Sequence, residues 1–319
     1  MSQHGALIHP SFFEDYFIYL MLLEVILFFF LLLTLSIYWH LLTRKRVFHP
    51  NLNLILLVQP ILVTIATLIR LLRHALDLIG FLDANTFQLF SFAAESFVGC
   101  SLHMTMGYAL ERFIAMRNLE SYEQKFPTNR LGWRILFSLA LFEVIEAILF
   151  FQKWAVSWVV FITSYFIHFI AIVFFIKLYF VCKQKYLAVY QKRYCTVEDR
   201  YSTLSNYKAS RVMLFLAPYK SITSIFVIAN YEYVAGYSLY TQTFFIFIFY
   251  YLAHFQIQGQ MWLTIFYEPA LRSKFLELTM SNNKIKTEQS LNNAFGKKLK
   301  YENYEQGDVY FRQFTTMWK

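Results

Sequence analysis

Glu111 and Arg112 are adjacent residues of opposite charge, at the point where the apolar run 87–110 gives way to a basic segment. With Phe113 they form a short motif at the end of a predicted membrane helix. An arginine placed here can pair with the neighbouring acid and later exchange it for another acceptor, as in a conformational switch. Adjacent charges also commonly mark the place where a helix leaves the bilayer. From these residues alone, both interpretations stay open.

Several ionisable side chains fall inside predicted membrane spans. They are Glu24, Glu95, Glu143, Glu146, His168, Lys220 and His254. Such groups are costly in lipid and are expected to face the interior of a helix bundle. Glu95 lies in the outer half of its helix, and Glu143 and Glu146 share a face one turn apart. We interpret these three as candidate walls of a ligand pocket; the alternative is helix-to-helix hydrogen bonding by protonated carboxyls.

The remaining chemistry-bearing residues do not form an enzyme site. The eight histidines are widely spaced, and none forms an HxxH or HExxH pair that would hold a metal. No Gly-x-Ser-x-Gly nucleophile motif is present. The three cysteines are too scattered for a zinc site or a disulfide framework. The sequence therefore predicts no catalytic activity, metal or cofactor.

The amino-acid composition indicates whether the helices that carry these residues are surrounded by water or by lipid. Of the 319 residues, 58% are hydrophobic and 15% are charged. A soluble domain of this size carries about 25% charged residues, so the composition indicates a lipid bilayer. We expect an all-α membrane protein.

Hydrophobic runs of sufficient length for a bilayer predict seven transmembrane helices. The predicted spans are 17–39, 52–69, 87–110, 135–151, 155–176, a sixth from 212 to between 228 and 237, and 244–266. Arg70 and Arg73 are predicted to close the second span on its outer side. Pro218, Lys220 and Asn230 interrupt the sixth, and Lys220 is expected to extend towards the inner headgroups.

The basic residues are distributed unevenly about these spans. The segments predicted to be internal hold 25 of the 29 Lys and Arg residues, and the external segments hold 3. Cytoplasmic loops carry such an excess, so we expect the N-terminus outside and the C-terminus in the cytoplasm. The cytoplasmic leaflet also accounts for the net charge of +9, which excludes a nucleic-acid partner.

The predicted domain organisation is a seven-helix domain over residues 1–278 and a flexible cytoplasmic tail over 279–319. The longest internal loop is expected to be 177–211. Within 269–278, Leu271, Phe275 and Leu278 recur at helical spacing, which predicts a short amphipathic helix on the inner leaflet.

Seven spans with an external N-terminus resemble a G-protein-coupled receptor, and two stretches resemble one family within that class. Glu111-Arg-Phe-Ile-Ala115 followed by Ser121-Tyr-Glu123 looks like the E-R-x-x-A…Y-E signature of the nematode chemosensory receptors of class epsilon, the Sre family. This stretch contains the Glu111–Arg112 pair.

The second stretch lies in the predicted third internal loop. Arg200-Tyr201 and Asn206 match the family pattern R-[FY]-Q-x-x-E-N, although Ser202 and Ser205 replace its Gln and Glu. Motif-level similarity covers about 30 residues, and the topology extends the resemblance over 1–278.

The resemblance implies a chemosensory receptor of the plasma membrane, in a sensory cilium, that detects an external small-molecule cue and signals through a heterotrimeric G protein. It implies that Arg112 is the switch residue, that Glu111 is its resting partner, and that Arg200, Tyr201 and Asn206 shape the loop that meets the G protein. The alternative is a transporter or a ligand-gated channel, although no internal repeat or pore-lining ring of charge is visible.

Overall fold

The structure, a computed structural model, describes residues 10–44, 47–118, 122–151, 157–191, 197–234 and 239–279. In these ranges the chain forms nine α-helices and no strand, so the prediction of an all-α protein is confirmed. The helices are α1 (Pro10–Arg44), α2 (Pro50–Leu78), α3 (Ala84–Arg117), α4 (Tyr122–Lys125), α5 (Arg130–Phe151), α6 (Ser157–Gln191), α7 (Val197–Val234), α8 (Leu239–Tyr267) and α9 (Pro269–Thr279).

Four of these helices are long and apolar enough to cross a membrane, as judged by length and composition. The stretches are Tyr16–Arg44 in α1, Pro50–Leu78, which is α2, Phe161–Gln191 in α6, and Arg200–Tyr231 in α7. The other long helices, α3, α5 and α8, carry carboxyl or amide side chains along their middle, such as Glu95, Glu143 and Gln256.

Helix α1 shows how the apolar side chains face outward. Ile18, Ile26 and Phe29 share one face and are 64%, 63% and 64% exposed, whereas Glu24 on the opposite face is fully buried. A helix of a soluble protein buries its apolar side chains and exposes its charged ones, and α1 shows the reverse arrangement. This arrangement and the four apolar helices confirm the prediction of a membrane-embedded protein.

Helix α2 extends nine residues beyond the predicted second span and ends at Leu78. The expectation that Arg70 and Arg73 close this span is therefore wrong, because the helix continues past them and both side chains are buried. Arg70 Nε donates to Glu24 Oε1 of α1 (2.7 Å), and Arg73 Nη1 donates to Ser91 Oγ of α3 (2.6 Å). Partners on other helices thus stabilise two arginines within the bundle.

The turn after α2 explains where the helix ends. Gly80 adopts φ 67°, a left-handed conformation that favours glycine, and its N–H donates to Asp77 O (2.9 Å). Asp83 then begins α3 by accepting from the N–H of Thr86 (3.3 Å). A hydrogen bond from the Thr86 side chain, together with those from nearby backbone N–H groups, lowers the pKa of Asp83.

Helices α6 and α7 occupy most of the predicted loop 177–211. Helix α6 continues to Gln191 and α7 begins at Val197, so Arg200, Tyr201 and Asn206 lie on a helix and not in a loop. Tyr186 of α6 and Tyr207 of α7 stack with ring centroids 5.1 Å apart. The polar residues here suggested a loop, but packing of the two helices against each other stabilises them instead.

Helix α7 also continues through Pro218, which was expected to interrupt it. A proline removes one backbone hydrogen bond but does not by itself end a membrane helix. Lys220, expected to extend towards the headgroups, is instead fully buried. Its Nζ donates to the backbone oxygen of Ser101 on α3 (2.6 Å), which gives the amine an acceptor inside the bundle.

The predicted helix after the last span is present as α9. Leu271 is fully buried, and Phe275 packs against Trp262 of α8 with ring centroids 5.4 Å apart, whereas Leu278 is 46% exposed. Part of the apolar face therefore contacts the bundle. The described residues up to Thr279 form one compact unit. The predicted flexible tail, 280–319 in particular, lies outside the described residues.

Candidate functional site

The end of α3 carries a closed pair between the carboxylate of Glu111 and the guanidinium of Arg112. Adjacent residues on a helix do not normally face each other. Here Arg112 Nη2 donates to Glu111 Oε1 (2.6 Å), and Nε donates to Oε2. The exposed fraction is 0% for Glu111 and 3% for Arg112, so both charges are withdrawn from solvent. Two parallel charge-assisted hydrogen bonds fix the plane of the guanidinium.

Tyr122 of α4 holds the carboxylate from the other side. Its hydroxyl donates to Glu111 Oε1 (2.7 Å) and accepts from Asn51 Nδ2 of α2 (3.2 Å). Burial raises the pKa of Tyr122, which keeps the phenol protonated as a donor. Asn51 Oδ1 also accepts from the N–H of Gly132 on α5 (2.9 Å). The carboxylate is thus linked to the starts of two further helices.

His49 shapes the same end of the bundle. Its Nδ1 accepts from the N–H of Asn51 (3.4 Å) and so caps α2. Burial lowers the pKa of His49 to about 4, so the ring is neutral near pH 7 and can accept this hydrogen bond.

Asn206 of α7 connects the pair to a second predicted motif. Arg112 Nη1 donates to Asn206 Oδ1 (3.3 Å), and Asn206 Nδ2 donates to the backbone oxygen of Ser202 (3.0 Å). We call Glu111, Arg112, Tyr122, Asn51 and Asn206 the Arg112 cluster. It joins α3 to α7 through Arg112, whose guanidinium is shared between an acid and an amide.

The other predicted members of these motifs lie at the surface. Phe113 is 44% exposed and Tyr201 is 47% exposed. Arg200 is also exposed, one position before Tyr201 on α7. Of the two predicted sets, the structure places Glu111, Arg112 and Asn206 in contact and leaves Phe113, Arg200 and Tyr201 on the outside of the bundle.

A cavity of about 120 Å³ lies further along α3, between α3, α5, α6, α7 and α8. All three carboxylates predicted for a ligand pocket, Glu95, Glu143 and Glu146, line it. The lining also includes His103 and the rings of Phe161, Tyr231 and Phe249. We call this space the acidic cavity.

Hydrogen bonds position two of the three carboxylates. His103 Nδ1 lies 2.9 Å from Glu143 Oε2, and the ring's Nε2 lies 3.3 Å from Ser164 Oγ of α6. Tyr231 of α7 donates its hydroxyl to Glu95 Oε2 (2.8 Å). The same carboxylates therefore form hydrogen bonds between helices and line the cavity.

Gly99 creates the space for Glu143 against α3. A Cβ atom at this position would lie 2.0 Å from Glu143 Oε1, closer than any real contact. The missing side chain lets the carboxylate of α5 reach the surface of α3, where His103 donates to it. The close approach of these two helices forms one wall of the acidic cavity.

A chain of polar side chains occupies the core between the acidic cavity and the Arg112 cluster. Tyr108 donates to Gln59 Oε1, and Gln260 Nε2 donates to the same oxygen (2.7 Å). Gln59 Nε2 and Lys220 Nζ both donate to the backbone oxygen of Ser101, at 3.2 and 2.6 Å. Side chains of α2, α3, α7 and α8 are thus hydrogen-bonded in the middle of the bundle.

Helix α3 carries residues of all three polar regions. His103 and Glu111 are eight residues apart, which corresponds to about 12 Å along a helix axis. A rotation or shift of α3 at the acidic cavity would therefore also move the Arg112 cluster, because both lie on this one rigid helix.

Three contributors were not predicted: Tyr122 as the partner of Glu111, Asn51 as the partner of Tyr122, and His103 as the partner of Glu143. Tyr122 falls within a recognised motif, so its importance was indicated but its contact was not. His103 could have been found as a polar residue on a predicted membrane helix, by the argument applied to Glu95.

No family model, curated protein or solved structure matches this chain. A function is therefore argued from the Arg112 cluster, the acidic cavity and the distribution of charge.

Proposed function

We propose that this protein is a seven-helix receptor of the plasma membrane that detects an external small-molecule cue and activates a heterotrimeric G protein. The observation that carries the proposal is the Arg112 cluster, because a buried arginine there is shared between α3 and α7. The similarity of Glu111–Ala115 and of Arg200, Tyr201 and Asn206 to nematode Sre receptors supports the class. That similarity also favours a sensory cilium as the location.

In this mechanism the Arg112 cluster is the resting state of the switch. Glu111 holds the guanidinium by two hydrogen bonds, and Asn206 contributes a longer one at 3.3 Å. A state in which α7 moves away would break the longer bond and free one edge of the guanidinium for a new acceptor. A G protein that binds this second state would shift the population towards it.

The acidic cavity is the proposed site of the cue. Five helices line it, and two of its three carboxylates, Glu143 and Glu95, are held by donors on α3 and α7. A ligand bound between these helices favours one relative position of α3 and α7, the two helices that Arg112 joins. The cue and the G protein would then act on one two-state element.

The charge distribution supports an external N-terminus and a cytoplasmic Arg112 cluster. Two of the three basic residues assigned to external segments, Arg70 and Arg73, are buried in the bundle. The predicted outer surface therefore carries even less free positive charge than the sequence suggested, as expected for the outer side of a membrane.

The topology gives a direct prediction. A peptide tag after Met1 should bind antibody on intact cells, whereas a tag after Lys319 should bind it after permeabilisation. The physical reason is the concentration of basic residues in the segments assigned to the cytoplasm. Two termini on the same side would require an even number of spans and would exclude the receptor proposal.

Nucleotide exchange separates this proposal from its rival. The protein in lipid nanodiscs should accelerate exchange on a purified heterotrimeric G protein when a panel of odorants and secreted metabolites is applied. Empty nanodiscs are the control. Ligand-dependent current or substrate uptake in liposomes, without accelerated exchange on any G protein tested, would favour a channel or a transporter.

A further inference from the structure

The described lining of the acidic cavity carries more negative than positive charge. It contains the carboxyl groups of Glu95, Glu143 and Glu146 and the imidazole of His103, and no lysine or arginine. An excess of carboxylates in a low-dielectric interior favours a ligand that brings positive charge.

The three carboxylates differ in their partners. Glu143 accepts from His103 (2.9 Å), and Glu95 accepts from Tyr231 (2.8 Å). Glu146 Oε2 is buried without a hydrogen-bond donor, and it lies 3.8 Å from His103 Nδ1, which already donates to Glu143. Glu146 Oε2 is therefore the acceptor that a ligand can use without displacing an existing bond.

Aromatic rings form the rest of the wall. Phe161, Tyr231 and Phe249 line the cavity, and the rings of Tyr231 and Phe249 lie 5.3 Å apart by centroid. Aromatic faces attract cations and also pack against hydrocarbon. The volume of about 120 Å³ is a little below that of a cavity of about 150 Å³ that binds benzene, so a ligand of about six non-hydrogen atoms is of suitable size.

We infer that the acidic cavity binds a small protonated amine, with its ammonium group donating to Glu146 and its hydrocarbon part against Phe161 and Phe249. This inference rests on the proposal that the cavity receives the external cue. It adds the chemical class of that cue, a cationic amine of about six non-hydrogen atoms.

A metal ion is the other cation that these side chains could hold. Donor atoms of His103, Glu143 and Glu146 lie within 4.8 Å of one another. A metal would need the lone pair of His103 Nδ1, and so would have to remove the proton now donated to Glu143. An ammonium group leaves that bond in place and uses Glu146 Oε2, which has no donor.

The test uses the full chain in lipid nanodiscs and needs no variant for its first step. Thermal stabilisation is titrated with n-propylamine to n-hexylamine, with the n-alcohols of equal length, and with Zn²⁺ alone. The amines should stabilise the protein saturably and the alcohols should not. Equal effects of amine and alcohol, no effect of either, or stabilisation by Zn²⁺ alone would overturn the inference.

Glu146→Gln then locates the site. A hydrogen bond between charged partners contributes enough that its loss should weaken amine binding roughly ten- to hundredfold. Glu277→Gln on α9, where Glu277 is 68% exposed, is the matched control and should keep wild-type affinity. Phe161→Leu should weaken amine binding several-fold by removing the ring face. Unchanged amine affinity in Glu146→Gln would contradict the proposed contact.

The outcomes distinguish the two proposals. Activation of a G protein by neutral cues, with no amine binding, would overturn the ligand class and leave the receptor function standing. Amine binding that depends on Glu146, with no nucleotide exchange on any G protein tested, would support the ligand class and count against the receptor function.

Discussion

Glu111→Gln should raise signalling in the absence of ligand, and Arg112→Lys should lower the signal that ligand evokes. Glutamine is neutral and has one acceptor oxygen, so it cannot reproduce both bonds to Arg112. The freed guanidinium then favours the active state. Lysine keeps the charge but lacks the planar fork that binds Glu111 and Asn206 together.

The expected size follows from the coupling energies of known switches. Coupling of about 1–3 kcal/mol corresponds to roughly a five- to 150-fold change in the active fraction. Basal second messenger, ligand-evoked second messenger, surface level and ligand binding should be measured for both variants. Surface level and ligand binding of Arg112→Lys should stay near wild type, because its position keeps a positive charge.

Glu277→Gln is the control for the loss of a carboxylate. Glu277 pairs with Lys274 at 2.9 Å on the exposed surface of α9, and exposed pairs contribute little. Its signalling should equal that of wild type. Normal evoked signalling in Arg112→Lys, together with unchanged basal signalling in Glu111→Gln, would show that the pair does not act as a switch.

The existence of the long helices was predictable because each contains a run of apolar residues, although only four of the described helices are long and apolar enough to cross a membrane. Their ends were less predictable, since a charge at the end of an apolar run resembles a membrane boundary. Arg70 shows why: its partner Glu24 lies 46 residues away in sequence, and only the packing of α1 against α2 brings them together. Lys220 was misassigned for the same reason, because its acceptor is the backbone of Ser101.

Short sequence motifs indicated part of the candidate site before its structure was known. The pair Glu111–Arg112 needed no tertiary information, since its members are adjacent. The contact of Arg112 with Asn206, 94 residues later, depends on α6 and α7 extending as helices beyond the predicted spans. The acidic cavity likewise depends on Gly99, whose role appears only when α5 packs against α3.

Glu24→Gln should strongly destabilise the bundle. Arg70 Nε donates to Glu24 Oε1 (2.7 Å), and both side chains are at most 1% exposed. The guanidinium of Arg70 lies over the rings of Phe247 and Tyr250, at 4.6 and 4.2 Å from their centroids. Without Glu24, a guanidinium that cannot lose its proton would remain in an apolar interior.

Removing one member of a buried ion pair costs about 3–5 kcal/mol. At about 2–4 °C per kcal/mol, the unfolding temperature of Glu24→Gln in nanodiscs should fall by roughly 6–20 °C. Arg70→Met should cost less, because methionine packs between the two rings and a lone carboxyl can be neutralised by a proton.

The double variant Glu24→Gln with Arg70→Met decides whether the charge pair or the packing is responsible. If the cost of Glu24→Gln comes from an unpaired guanidinium, removing that guanidinium should restore most of the lost unfolding temperature. If the costs of the two single variants simply add, the two side chains contribute independently, and the ion pair does not stabilise the contact between α1 and α2. Glu277→Gln should leave the unfolding temperature unchanged, since its carboxylate is 68% exposed.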